Sequence, residues 1–516
     1  MKSVCVALMT TVFVTALHGQ DFCFNNGLEP ESLDPLRITG VIERDVCSAL
    51  FEGLTLNNPK TSKGEPGLAQ SWTVSPDGRT FTFMLRRAKW SDGTSITAQT
   101  VVDSWFRTLD PQTASEMTYL MFDALEGAKA YHEGKGRKED VKIRALDART
   151  FQATFVAPMP YVPDLLTHWI FAVVPLHAIR KHGDAWTKPG NFVGNGPFTL
   201  KEWKPQERLV VVKNENYWDT ARVRLQSITF LPLEDLGVGF DKFKAGEIDW
   251  QPAVDATRLE EVQRCAGYHR CPRTNVHYYI FNITRKPFDD ARVRKALSMA
   301  LDRQALVQQV LKGGQYPMAG FIPSFGAYRT TKGNGFDPVQ ARMLLAEAGY
   351  PGGKGFPKET IVYNTNPNYR RIAEWAQQQW KSILGIDVEP VNLDWEALMT
   401  ARQRTHDFAI ARAGWSADFP DSMNYFGELL KTDGKQNDGL YSNPNVDALL
   451  DKANRMPLGS ARDRVLMQAE ELAIDQDQAL LPLFHQANQD LIDLDKWGGW
   501  YENTLGVHPW KAIYRK

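Results

Sequence analysis

Strand-like and helix-like patterns alternate along this chain almost without a break, and that alternation limits its possible folds more than any other feature. Phe81, Phe83 and Leu85 alternate with polar neighbours, the mark of a half-buried strand. Val293, Leu297, Ala300 and Leu301 fall at helical spacing, which predicts a long helix over 290–310. Residues 388–391, 395–402 and 408–411 read as strand, helix and strand in succession. Helices are also predicted over 41–54, 119–132, 338–349 and 369–384, and returning strands over 480–484 and 506–514. No tandem repeat, low-complexity tract or long Gly/Ser linker interrupts the series. The pattern predicts an α/β chain whose domains are joined by short crossings. At 516 residues it is too long for one core, and about three domains are expected.

The first twenty residues read as a secretory signal. Lys2 is the charged end, an apolar or neutral run extends from Val4 to Leu17, and cleavage falls near Gly19 or Gln20. A lipid anchor on Cys23 is the alternative, although no small residue stands just before that cysteine. Export permits disulfides. Four cysteines lie beyond the signal, and of their three possible pairings the short loop favours Cys265 with Cys271, leaving Cys23 with Cys47. A formal net charge of −1 gives no reason to expect nucleic acid as a partner. No His/Cys cluster has metal-ligand spacing, and no cofactor is implied. HExxH, GxSxG and GxxxxGK[ST] are absent, so neither a peptidase nor a nucleotide-binding enzyme is indicated. Gly194-Asn195-Gly196-Pro197 lacks the Lys-Ser/Thr of a phosphate loop and reads as a tight turn.

The stretch 411–422, ARAGWSADFPDS, concentrates the chemistry. A strand ending in Arg412, Gly414, Trp415 and the bare carboxylate of Asp418 is a candidate ligand edge, since glycine permits close backbone approach. The plainer alternative is that Asp418 starts a turn and that Asp421 or Ser422 caps a helix beginning at Met423.

Several segments together carry a resemblance. They are SLDP (32–35), FEGL (51–54), GLAQSW (67–72), FTFMLRRAKWSDGTSITAQTVVDSW (81–105), GNGPFTLKEW (194–203), FDDARVRKALSMALDR (288–303), ARMLLAEAGYP (341–351) and ARAGWSADF (411–419). In this order they resemble the solute-binding proteins of bacterial ABC importers, in the peptide- and nickel-binding family and within it the oligopeptide-binding branch. The resemblance implies a two-lobed periplasmic-binding-protein fold with an additional small α/β domain and a ligand cleft between the lobes. Lobe I would comprise 21–50, 172–275 and 486–516, the small domain 51–171, and lobe II 276–485. It also implies a periplasmic, monomeric, non-enzymatic carrier that binds oligopeptides and hands them to a membrane permease.

A carrier of varied peptides must grip what all peptides share: the α-ammonium, the main chain and the α-carboxylate. By resemblance Asp418 takes the ammonium, with Arg412 as a possible partner in the free protein. The backbones of Gly414 and Ser416, and Val41 from the other lobe, would pair with the peptide main chain. Trp395 and Trp415 would wall side-chain pockets or lie in the core, and Tyr119 would contribute from the small domain. Arg402 and Arg412 match family positions that meet the carboxylate. The same fold carrying dipeptides, haem or a metal chelate is the alternative cargo.

Overall fold

A computed structural model describes residues 21–325 and 327–516. The expected export signal over 1–20 lies outside the described residues. Among those residues the largest sheet has eleven strands. It runs Phe198–Lys204, Arg208–Lys213, Ser227–Leu231, Asp21–Asn25, Trp250–Gln251, Leu480–Ile492, Tyr268–Phe281, Ile410–Trp415, Glu359–Asn364, Val388–Leu393, with Tyr316–Pro317 added beside Leu480–Ile492.

Two long strands join the halves of this sheet. Leu480–Ile492 pairs at its end with Trp250–Gln251 and along its length with Tyr268–Phe281. The latter ladder is regular from Tyr268↔Leu491 to Pro272↔Ala487, breaks, and resumes at Val276↔His485. Pro272 has no N–H to give a ladder, which suits a break in mid-strand. Residues 273–275 stand opposite Gln486 alone. The break is tied down from outside: Thr274 N–H donates to Thr504 O at 2.9 Å, and the Tyr425 hydroxyl donates to Thr274 O.

Burial follows the same division. One cluster gathers Phe22, Phe24, Leu50, Phe198, Val211, Trp250 and Trp510. Beyond the break, Val276, Tyr278 and Ile280 face one core, and Tyr279 and Phe281 the other, because alternate residues of a strand point to opposite sides. A separate four-stranded sheet, Ala69–Val74, Thr80–Leu85, Thr150–Thr154 and Ile143–Ala145, carries its own core of Phe81, Phe83, Trp105, Phe151 and Phe155. Its covering helix, Ala98–Leu109, starts from a reciprocal cap: Thr97 Oγ1 accepts from Thr100 N–H and Thr100 Oγ1 from Thr97 N–H.

Several expected elements are shorter. The helix expected to reach residue 54 is Val41–Leu50, because Phe51 is already extended and Leu54 belongs to the neighbouring core. The helix expected over 290–310 stops at Met299 and restarts at Arg303, where Asp302 accepts from Ala305 N–H at 3.0 Å. The span 119–132 divides into Tyr119–Phe122 and Ala128–His132, with Gly127 between them at φ +82°. The tail over 506–514 holds a single helical turn, Trp510–Ala512, and is extended only at its end, Tyr514–Arg515. Trp510 instead plugs the first core and donates to Asp45 O at 2.7 Å.

Neither expected disulfide forms; all four described cysteines are free. Cys23 sits in the strand Asp21–Asn25 with its N–H on Asp249 Oδ2, while Cys47 is buried on the helix Val41–Leu50. Cys265 packs beside the Phe240, Val262 and Leu491 cluster. The Cys271 thiol donates to Asn503 O at 3.4 Å. Each cysteine thus sits in its own local packing, and of the four only the Cys271 thiol is hydrogen-bonded among the described residues.

Candidate functional site

The strand Ile410–Trp415 delivers the candidate edge. It is longer than the expected 408–411 segment, so Arg412, Gly414 and Trp415 are within the strand rather than after it. Against Tyr268–Phe281 the ladder runs Ile410↔Phe281 to Trp415↔Val276 and ends there. On the other edge pairing with Glu359–Asn364 stops at Ala411. Gly414 is in close quarters: a Cβ there would lie 3.2 Å from Arg412 Nη2 and 3.3 Å from Val276 O.

Three residues beyond the ladder, Asp418 is held by Asn424. The Asn424 amide nitrogen donates to Asp418 Oδ2 at 3.3 Å. Its carbonyl oxygen accepts from Asp418 N–H at 3.3 Å and from Trp415 Nε1 at 2.9 Å. One buried side chain thus fixes both the carboxylate and the indole before it. Among the described residues Asp418 has no ion-pair partner, and burial pushes its carboxyl up to about 6, with only the Asn424 hydrogen bond acting downward.

Asp418 lines a cavity of about 270 Å³. Ser416 and Ala417 line the same wall; Val41, Arg44, Met117 and Arg273 are among the residues that complete it from other elements. Val41 and Tyr119 are both exposed. Burial, then the charges of Asp418 and Glu428, raise the Tyr119 phenol, which places Tyr119 in the same electrostatic neighbourhood.

The remaining predicted residues lie elsewhere. Arg412 does not pair with Asp418. Its Nη2 donates to the Tyr369 hydroxyl at 2.6 Å, its guanidinium lies 3.9 Å from that ring's centroid, and its Nε has no partner. Burial holds this guanidinium below its ordinary range. Arg402 is buried and donates twice to Asp438 Oδ2, at 2.9 and 2.6 Å. Trp395 opens the helix Trp395–Met399 and is 56% exposed, outside the Asp418 cavity.

The loop after Asp418 is clamped to residues that flank the four-stranded sheet, Tyr161 and Lys63. Phe419 stacks on Tyr161 with centroids 5.2 Å apart and planes within 8°. Arg462 grips Asp421 through two 2.8 Å hydrogen bonds, and Lys63 reaches both Asp421 at 3.4 Å and Asp164 at 3.0 Å. Burial pushes the Asp421 carboxyl up, but Arg462 and Lys63 outweigh it, and the group is held below the usual range. Asp421 also accepts from Met423 N–H at 3.0 Å, a turn just before the short helix Met423–Tyr425, whose cap position, Ser422, makes no side-chain capping bond. Sequence reasoning missed Asn424, Arg44 and Arg273. Asn424 is a lone polar residue at the head of a short helix, and nothing in its spacing marks it. Arg273 follows Pro272, and that proline was the available signal of a strand interruption.

The comparisons agree on one group of proteins. The family model described as bacterial extracellular solute-binding proteins, family 5, matches residues 63–437. The periplasmic oligopeptide-binding protein OppA of Escherichia coli is 34% identical over 503 residues, covering 95% of this chain and 91% of the relative. The periplasmic murein tripeptide-binding protein MppA in its unliganded open form superposes with a TM-score of 0.89 at 32% identity, covering 96% of this chain and 98% of that one. The Haemophilus influenzae OppA complex with the peptide RPPGFSPFR superposes with 0.68 at 29% identity, covering 96% and 99%.

Proposed function

The chain belongs to the family 5 bacterial extracellular solute-binding proteins, and we propose that it is an exported, periplasmic carrier that captures oligopeptides between two lobes for an ABC importer. The observation that carries this reading is Asp418: an acid with no cation partner among the described residues, raised to about 6 by burial, in a cavity walled by separate parts of the chain. An isolated buried charge is costly. A peptide α-ammonium supplies the missing cation through charge-assisted hydrogen bonds. The main chain of the peptide then adds as a strand beside Gly414 and Ser416, where pairing on one edge has stopped, with Val41 opposite. Trp415 walls the first side-chain space and Tyr119 approaches from the small domain.

The lobes are 21–50 with 172–275 and 486–516, and 276–485, with 51–171 as the added domain. The two long strands that cross between them form the hinge, and the broken ladder at 273–275 is its natural bending point. The nearer fit to an unliganded open relative than to a peptide complex supports reading this arrangement as open. Peptide contacts to both lobes shift the balance to a closed form, which the permease then receives. No bond of the ligand changes. The amine-seeking acid favours peptides over haem, whose own polar groups are carboxylates.

The test is calorimetric titration with trialanine and N-acetyl-trialanine. Free trialanine should bind at least tenfold tighter, the size of a lost hydrogen-bonded charge. Equal affinities reject the ammonium anchor.

A further inference from the structure

A second cavity, of about 210 Å³, adjoins the first. Val41, Arg44, Arg273 and Leu505 line both. The second is polar: Asn26, Gln251, Asn488 and Asp490 contribute to it, and the Asn26 side-chain oxygen is buried without a partner. Four charged groups meet there. The helix Val41–Leu50 brings Arg44 and Asp45, the strand Leu480–Ile492 brings Asp490, and the broken strand brings Arg273.

Three of the four are already engaged. Arg44 donates to Asp45 Oδ1 at 2.9 and 2.7 Å and to Gly506 O at 3.2 Å. Asp490 accepts from Trp250 Nε1 at 2.9 Å, and burial with its acidic neighbours pushes its carboxyl up to about 7. Arg273 alone has a guanidinium with neither an ion pair nor a hydrogen bond among the described residues, and burial holds it below its ordinary range. Its backbone does not wander to find one, because Thr274 beside it is pinned at both its N–H and its C=O. The junction of the two cavities therefore presents one unanswered, pre-positioned positive charge.

Resting on the peptide-carrier reading, we propose that Arg273 is the residue that receives a carboxylate of the bound peptide, in the same cavity that Asp418 lines. The planar guanidinium fork suits a carboxylate bidentately. Arg402 is satisfied by Asp438 and Arg412 is stacked on Tyr369, and neither lines this cavity. The carboxylate comes either from the C-terminus of a short peptide or from an acidic side chain of a longer one. Asp490, close enough to be felt by Arg273 yet not paired with it, is the competing group: a basic side chain would choose it instead.

The experiment is calorimetric titration of the purified protein and its Arg273→Gln and Arg273→Lys variants. The probes are trialanine, trialanine amide, and two tetrapeptide amides that differ only by glutamate or glutamine at the second position. In the unaltered protein one acid-bearing probe should bind about tenfold or more tighter than its uncharged match. Arg273→Gln should close that gap to within about twofold, and Arg273→Lys should restore part of it. Whichever pair shows the gap identifies the source of the carboxylate. Continued rejection of N-acetyl-trialanine by Arg273→Gln shows that its cleft remains intact. A gap that survives Arg273→Gln, or no gap in the unaltered protein, overturns the assignment while the ammonium anchor stands. Failure of the unaltered protein to bind any probe overturns the carrier reading with it.

Discussion

Asp418→Asn exchanges a carboxylate for an amide of the same shape, and it should move stability and affinity in opposite directions. Burial lifts the Asp418 carboxyl from 3.8 to about 6. At ~1.4 kcal/mol per unit, keeping it ionised in the empty cavity costs up to about 3 kcal/mol at pH 7.5. The folded protein binds the proton more tightly than the unfolded chain does. Asp418 therefore destabilises the protein above about pH 6, and its penalty fades as pH falls from 6 towards 3.8. The variant lacks the penalty throughout. Without peptide it should resist urea better than the unaltered protein at pH 7.5 and keep only about a third of that advantage at pH 4.5. With trialanine at pH 7.5 it should lose about 1.5–3 kcal/mol of binding, the range for a hydrogen bond to a charged group. Urea unfolding at the two pH values and calorimetric titration at the upper one make the test. An unfolding difference that does not change with pH would show that Asp418 is not an unpaired buried acid. Unchanged affinity would show that it is not the anchor.

Two further outcomes follow from the same groups. The ratio of trialanine affinities between the unaltered protein and Asp418→Asn should be steady from pH 7.5 down to about 6, then fall by up to about tenfold per unit as Asp418 takes up a proton, which titrations of both at pH 7, 6 and 5 would read. Arg402→Met strands the buried Asp438 carboxylate, so it should cost about 3–5 kcal/mol in urea unfolding, with Arg402→Met/Asp438→Leu recovering much of that loss.

The sequence revealed the α/β alternation because amphipathic period is a local property. It gave Phe81, Phe83 and Leu85 as one face of a strand, and all three are buried. It overran at 290–310 because the helical pattern continues through Leu301 while Asp302 imposes a new start. The carboxylate at 418 stood out as a bare acid after a strand. Its holder Asn424 did not, since six residues of separation match neither helix nor strand period. Arg402 and Arg412 show the limit of reading charge from sequence. Each is a cation near the right strand, yet Asp438 and Tyr369 decide where their charge goes, and those partners come from 36 and 43 residues away in the chain.

The charge pattern around Asp418 explains why its carboxylate is unanswered. The loop that carries it is nailed down one turn later, where Arg462 and Lys63 are committed to Asp421 and Asp164. Lys435 is paired with Asp123, Arg402 with Asp438, and Arg44 with Asp45. Phe419, beside Asp418 in the chain, stacks on Tyr161. Most of the neighbouring cations are thus held by other acids, Arg412 is held by Tyr369, and Arg273, which lines the same cavity, is not paired with Asp418. An acid placed so is poorly solvated when alone and well satisfied by an incoming ammonium, since no internal cation pairs with it among the described residues. That inequality, rather than any fit to a particular side chain, is what would let one cleft accept peptides of many sequences while rejecting ligands without a free amine.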